Sequence, residues 1–317
     1  MGIFDKRINY KPFEYPEVMD FVDMMNQTFW VHKEIDFTAD IQDFKTNLSD
    51  VEKEVVKRSL LSIAQVEVGV KAFWGDLYRH FPKPEFNNLG STFAESETRH
   101  SEAYSRLIEV LGYNDEFDGI YEIPIFKKKI DLMDEYMNAN KDIIWKLLFF
   151  VIVIENSSLF SQFANILSFT RFRGYLKNTS NIIAWTSIDE QTHANAGIYL
   201  INKLREEGYL RSEMIDELKI AVSQYIHYEE ELLNWIYEKG ELIFFTKEDM
   251  LNFMKYRVDD ALDKMNLGKI FNISDEGYQP MKWFDEDVFA NELDDFFAKR
   301  PTAYTKHDKS ITANDLF

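Results

Sequence analysis

Apolar residues recur at helical spacing along most of this 317-residue chain. From Asp50 onward, Val51, Val55, Leu60, Leu61, Ile63, Val66, Val70 and Trp74 fall at the intervals of one long amphipathic helix, which Pro82 and Pro84 should end. Further helices are expected from about Asn87 to Leu111, stopped by Gly112, and from Phe126 to Met137. Three more should run from about Asn178 to Leu204, from Glu213 to Tyr237 with Ser212 as cap, and from Lys247 to Met265. A short helix should open at Pro16 and reach Met25, after an irregular arm over residues 1–13. Lys141 to Phe169 is apolar around most of its circumference, which predicts a central position. Its densest run, Ile143 to Ile154, is broken by Lys146 and short for a bilayer span, so a buried core helix is expected. No strand pairs, Gly-rich phosphate loop or short-period repeat stand out. The pattern predicts an all-α fold built as a large helical bundle.

Periodicity fades from about Asp285 and is gone by Arg300, which divides the chain into a helical domain, 1–285, and a flexible tail, 286–317. The tail carries a single tyrosine, Tyr304, and ends in Leu316-Phe317, the anchors a short docking peptide needs. Hydrophobic content of 45% and aromatic content of 15% suffice for a substantial core. Lys and Arg number 36 against 55 Asp and Glu, and the net charge of −19 argues against direct nucleic-acid binding. The absence of cysteine excludes disulfides, zinc–thiolate and iron–sulfur sites, and thiol chemistry by this chain. The N-terminus lacks the apolar core of a signal peptide, so a cytoplasmic protein without a membrane partner is expected.

Two stretches carry the chemistry. Glu97-Thr98-Arg99-His100 and Glu190-Gln191-Thr192-His193 each place a Glu and a His three apart, on one face of a helix. Glu67 and Glu155 supply lone carboxylates on two other helices. Glu155 follows Val151-Ile152-Val153-Ile154, where an unpaired buried carboxylate would cost several kcal/mol. Four carboxylates and two imidazoles on four helices are the ligand set of a dinuclear metal–carboxylate site in a ferritin-like bundle. One imidazole per metal among oxygen ligands favours iron or manganese over copper or zinc. Ala194-Asn195-Ala196-Gly197, just beyond His193, suits close helix contact. Tyr104 shares the face of Glu97 and His100, one turn farther on, where a phenol could lose an electron and a proton to an oxidised centre.

Ser96 to Tyr104 and Ile188 to His193 resemble the signatures of the class I ribonucleotide reductase small subunit, and Phe29-Trp30 resembles its N-terminal Trp. The likeness covers roughly residues 15–270 and the short tail. It implies a homodimer that houses a metal oxidant and passes a radical to a separate large subunit, where ribonucleotides are reduced. By the resemblance, Glu67, Glu97 and His100 hold one metal, and Glu155, Glu190 and His193 the other. Trp30, Asp189 and His100 begin the electron path, Tyr304 relays at the subunit boundary, and the last residues dock on the large subunit.

Two features depart from the commonest iron–tyrosyl members. The first ligand is Glu67, where many carry Asp, and Lys71 lies one helical turn after it, toward the same face. A cation there could bond the Tyr104 phenol or a carboxylate, or attract an anionic oxidant such as superoxide. This pattern resembles the manganese-dependent subclass Id, in which the metal pair itself starts radical transfer and Tyr104 is a bystander. Manganese is therefore favoured, with a di-iron or mixed pair as alternatives. Two competing readings are a ligand-binding oxidase or oxygenase on the same scaffold, and a ferritin-like storage protein. Neither needs Trp30, Asp189 and Tyr304 together.

Overall fold

The computed structural model describes residues 2–138 and 140–289, which form helices and no strand among them. The first helices are α1 (Val18–Gln27), α2 (Thr38–Thr46), α3 (Asp50–Glu67), α4 (Lys71–Gly75), α5 (Leu77–His80) and α6 (Pro84–Leu111). Then follow α7 (Asn114–Asp118), α8 (Pro124–Met137), α9 (Ile143–Phe149), a π-helical segment (Phe150–Ser158), α10 (Phe160–Arg173) and α11 (Lys177–Glu206). The chain continues with α12 (Ser212–Ile236), α13 (Lys247–Lys264) and α14 (Asp275–Tyr278). It separates into a unit Met1–Met281 and a unit Lys282–Phe317. Of the second, the described part is α15 (Lys282–Val288) and Phe289.

The expected helices are present, with four corrections of physical interest. The long helix begun at Asp50 stops at Glu67 and resumes only at Lys71, after turns at Val68-Gly69-Val70. Ser49 starts it, in a reciprocal capping box with Glu52 that satisfies two otherwise orphaned amides. Pro84 opens α6 instead of merely ending its predecessor, since a missing N–H costs nothing in a first turn. Ser212 lies inside the first turn of α12, and Arg211 holds the capping position without a side-chain bond. The fourth correction is length. The continuous stretch Ile143–Arg173, 31 residues, is long and apolar enough to cross a bilayer by composition, yet 89% of its most apolar window is buried. It is the central core element, as its circumference predicts.

The N-terminal arm is irregular but tied down. Ile3 is fully buried, and its amide donates to Glu207 at 2.8 Å. Arg7 pairs with buried Glu85, which also accepts from the amides of Glu14 and Tyr15 at 3.0 and 3.3 Å. At the other end of the bundle Asp40 caps α11, accepting from the amides of Asn178 and Thr179.

The four ligand-bearing elements pack together: α6 on α3, α11 on α6 and on the π segment, and α10 on both α3 and α11. Gly197 makes the closest approach possible. A Cβ there would stand 2.2 Å from Val151 Cγ2, so a side chain would push α11 off the π segment.

Candidate metal centre

Glu67, Glu97, His100, Glu155, Glu190 and His193 are all buried, none more than 2% exposed. They converge in two overlapping groups, Glu67/Glu97/His100/Glu190 and Glu97/Glu155/Glu190/His193, with the ligand atoms of each within 4.8 Å of one another. Glu97 and Glu190 belong to both groups. The structure thus brings together all six residues expected from spacing and resemblance, and gives two of the carboxylates a place between the positions.

Each histidine turns Nδ1 into this ring of oxygens. His100 Nδ1 lies 3.1 Å from Glu190 Oε1, 3.3 Å from Glu97 Oε2 and 3.9 Å from Glu67 Oε1. His193 Nδ1 lies 2.9 Å from Glu97 Oε1, 3.3 Å from Glu155 Oε2 and 3.9 Å from Glu190 Oε2. The far nitrogens fix the tautomers. His100 Nε2 faces Asp189 Oδ2 at 3.0 Å, and an ionised carboxylate only accepts. His193 Nε2 faces Ser96 Oγ at 2.9 Å, and that hydroxyl already donates to the Phe93 carbonyl at 2.9 Å. Both Nε2 atoms therefore carry the proton of the neutral ring, which leaves Nδ1 lone pairs aimed at carboxylate oxygens. A lone pair against an anion is repulsive unless a cation stands between them: a proton on Nδ1 in the metal-free chain, or a metal ion that takes its place.

The titration behaviour carries the same message. Burial, together with neighbouring carboxylates, holds Glu67 and Glu190 well above the ordinary range. Burial also works on Glu97, but the imidazoles, His193 foremost, pull it down to about 2. For the histidines burial favours the neutral ring. The surrounding carboxylates outweigh it, raising His193 to about 9 and His100 well above its usual value. Both oxygens of Glu67 and of Glu97, and Glu190 Oε1, have no hydrogen-bond donor. Orphaned buried oxygens beside cation-seeking imidazoles fit a pair of divalent ions bound by oxygen and nitrogen ligands.

The surroundings divide by ligand. Trp30, 5% exposed, donates its indole N–H to Asp189 Oδ2 at 3.0 Å, and its ring stacks on His100 at 5.7 Å and 15°. The expected Trp30–Asp189–His100 chain is continuous. Tyr104 is fully buried, and burial with the nearby Glu67 charge drives its phenol well above the usual range, the Thr186 hydroxyl being its polar neighbour.

Lys71 does not contact the phenol or a carboxylate. Its Nζ bonds Ser101 Oγ at 3.0 Å, and that hydroxyl serves the Glu67 and Glu97 carbonyls at 2.9 and 2.8 Å. The reason is the break after Glu67, which ends the helical register that would have put Lys71 beside it. Tyr304, Leu316 and Phe317 lie outside the described residues.

Three features were not expected. Trp74, read as a core aromatic, donates its indole N–H to Glu155 Oε1 at 2.7 Å and pins that carboxylate. Ser96 orients His193. Glu155 itself sits in the π segment, a geometry frequent at functional sites. Side chains support that segment's carbonyls: Ser157 Oγ donates to Ile152, Ser158 Oγ to Ile154 and Arg257 Nε to Asn156, at 2.7, 3.0 and 2.8 Å.

Comparison with known proteins agrees with this geometry. The family model for the ribonucleotide reductase small chain matches residues 7–279. A relative in invertebrate iridescent virus 3, described as a probable ribonucleoside-diphosphate reductase small subunit, is 25% identical over 322 residues, covering 95% of this chain and 85% of its own. Among solved structures, the ribonucleotide reductase R2 subunit from Clostridium botulinum matches with a TM-score of 0.78 at 19% identity, over 88% of this chain and 90% of that one. Dimanganese(II)-NrdF of Streptococcus sanguinis matches with a TM-score of 0.75 at 18% identity, over 88% and 98%. The structural likenesses speak for a shared fold, and the family match for descent: this chain belongs to the ribonucleotide reductase small-chain family.

Proposed function

We propose that this small subunit holds a manganese pair in the Glu67/Glu97/His100/Glu155/Glu190/His193 cluster and that radical transfer starts there, as in subclass Id. The observation that carries the reading is the unbroken Trp30–Asp189–His100 hydrogen-bond chain ending on an Nδ1 inside the cluster. When bound and oxidised, the metal pair supplies a one-electron oxidant. The protein residues do the rest. His100 fixes one end of the path, and Asp189 holds the two N–H groups that face it. Trp30 gives up the electron that the path carries inward. The large subunit, which a small chain serves, receives the oxidising equivalent in return and reduces ribonucleotides to deoxyribonucleotides.

Manganese is favoured over iron by Glu67 at the first ligand position and by Lys71 close by. Its Nζ is held by Ser101, the residue after His100, where it attracts a small anionic oxidant such as superoxide. Tyr104 is then a buried bystander. The tail, residues 286–317, docks on the large subunit, with Tyr304 as relay, and the chain works as a cytoplasmic homodimer. A ligand-binding oxidase would want a substrate cavity at the metals. The cavity of about 440 Å³ between the Val68–Val70 turns and α8 is lined by none of the six cluster residues.

The deciding experiment is an electron paramagnetic resonance spectrum of the activated protein, with metals quantified on the same sample. A multiline signal from a mixed-valent manganese pair is expected. A sharp tyrosyl signal would return the stored radical to Tyr104.

A further inference from the structure

Arg257, on α13, grips both neighbours of the second ligand group. It is only 6% exposed, and its guanidinium carbon lies 3.4 Å from the centroid of the Phe160 ring. Its Nε donates at 2.8 Å to the carbonyl of Asn156, the residue after Glu155, and Asn156 Nδ2 donates back to the Arg257 carbonyl at 2.8 Å. Its Nη2 donates at 2.9 Å to Gln191 Oε1, and Gln191 is the residue after Glu190. One planar fork therefore ties the π segment that carries Glu155 to the helix that carries Glu190. The tie adds a directional link to the close packing of those two elements at Gly197 and Val151.

We propose that Arg257 is a positioning residue that sets the separation of Glu155 and Glu190, and through it the geometry of the metal position they share with Glu97 and His193. This rests on the dinuclear reading above. A lysine could reach one of the two acceptors but not both in a fixed plane, which is why the fork matters. A π segment has longer hydrogen-bonded rings than an α-helix, so the element holding Glu155 gains most from an external tie. Glu67 and His100 lie outside the tie.

The test uses the full chain, Mn(II) as the probe, and the variants Arg257→Met, Arg257→Lys and Gln191→Leu. Hydrogen exchange of the metal-free proteins reads the tie itself, and Mn(II) titration followed by electron paramagnetic resonance reads its purpose. Faster exchange is expected across residues 150–158 in Arg257→Met. One of the two Mn(II) ions should bind about 10-fold more weakly, with an altered exchange-coupled signal, while the other is unchanged. Gln191→Leu, which leaves the Asn156 bonds in place, should reproduce the weakened ion without the faster exchange, and Arg257→Lys should restore only part of the affinity. Equal weakening of both ions, or an unchanged coupled signal in Arg257→Met and Gln191→Leu, would overturn the proposal. A wild-type chain that shows the exchange difference but binds fewer than two Mn(II) would instead overturn the dinuclear reading and leave Arg257 a purely structural tie.

Discussion

Trp30 donates its indole N–H to Asp189 Oδ2 across 3.0 Å, and that same oxygen faces His100 Nε2 at 3.0 Å. One carboxylate oxygen thus joins a buried indole to an imidazole in the cluster. An amide in its place cannot accept from both donors with equal strength. Asp189→Asn is expected to keep both metals and to lower ribonucleotide reduction with the large subunit by about 100-fold. Metal content and turnover measured on one preparation check this. A loss of activity that merely follows a loss of metal would reduce Asp189 to a support for His100.

Metal binding should release protons. Carboxylates, against the effect of burial, hold the His193 imidazole up at about 9 and His100 well above its usual value, so both rings are protonated in the metal-free chain at pH 7. Mn(II) must displace those protons, and its affinity should rise with pH until His193 loses its proton near 9. Calorimetry at pH 7 in buffers of different ionisation enthalpy should show net proton release on Mn(II) binding, to which Glu67 and Glu190, held up by burial, add their share. No release would mean neutral rings. Without metal, the stability that His193 contributes is complete below its ordinary value of 6.5 and is lost as pH rises through about 9.

Gly197→Ala should destabilise the fold by about 1–3 kcal/mol, because its Cβ would meet Val151 Cγ2 at 2.2 Å. Thermal unfolding of Gly197→Ala alone and combined with Val151→Ala checks the cause. Recovery in the double variant is the expected result.

Trp74→Phe removes the donor to Glu155 Oε1 and also leaves a small cavity where the fully buried indole stood. A buried carboxylate that loses such a donor costs about 1–3 kcal/mol. The metal-free variant should melt lower, and Mn(II) should recover part of the difference. Because the cavity lowers both forms alike, the recovery on Mn(II) addition is the readout for Glu155, and no recovery beyond that of the unaltered chain would show that the lost donor does not matter to it.

Deleting residues 300–317 should abolish ribonucleotide reduction with the large subunit while Mn(II) binding stays as in the full chain. Retained turnover would remove the tail from docking.

The sequence made the ligands legible because a Glu and a His three apart share a helix face whatever surrounds them, and because Glu155 stands out in an apolar run. The same logic failed where helical register changes. Counting along one helix puts Lys71 beside Glu67, and the turns at Val68-Gly69-Val70 interrupt that count. The π segment left no trace in the pattern, since a stretch apolar on every side reads the same at either pitch. Trp74 and Ser96 look like packing residues until their partners, Glu155 and His193, arrive from distant helices. Arg257 and Gln191 are 66 positions apart, a separation that local spacing cannot bridge.

The π segment also has a consequence for chain length. A ring closed over five residues accommodates more chain per turn than one closed over four, so Phe150–Ser158 holds surplus length that an α-helix would not. Deleting one residue there would let the segment fall back to α pitch, so the surplus is absorbed and the following helix can keep its facing, while residues inside the segment change theirs. Glu155 would leave its place while α10 beyond it could keep its own. Single exchanges of side chain keep the residue count and spare this arrangement. A one-codon deletion between positions 150 and 155 should therefore cost the placement of Glu155, and with it metal binding, more than it costs the fold.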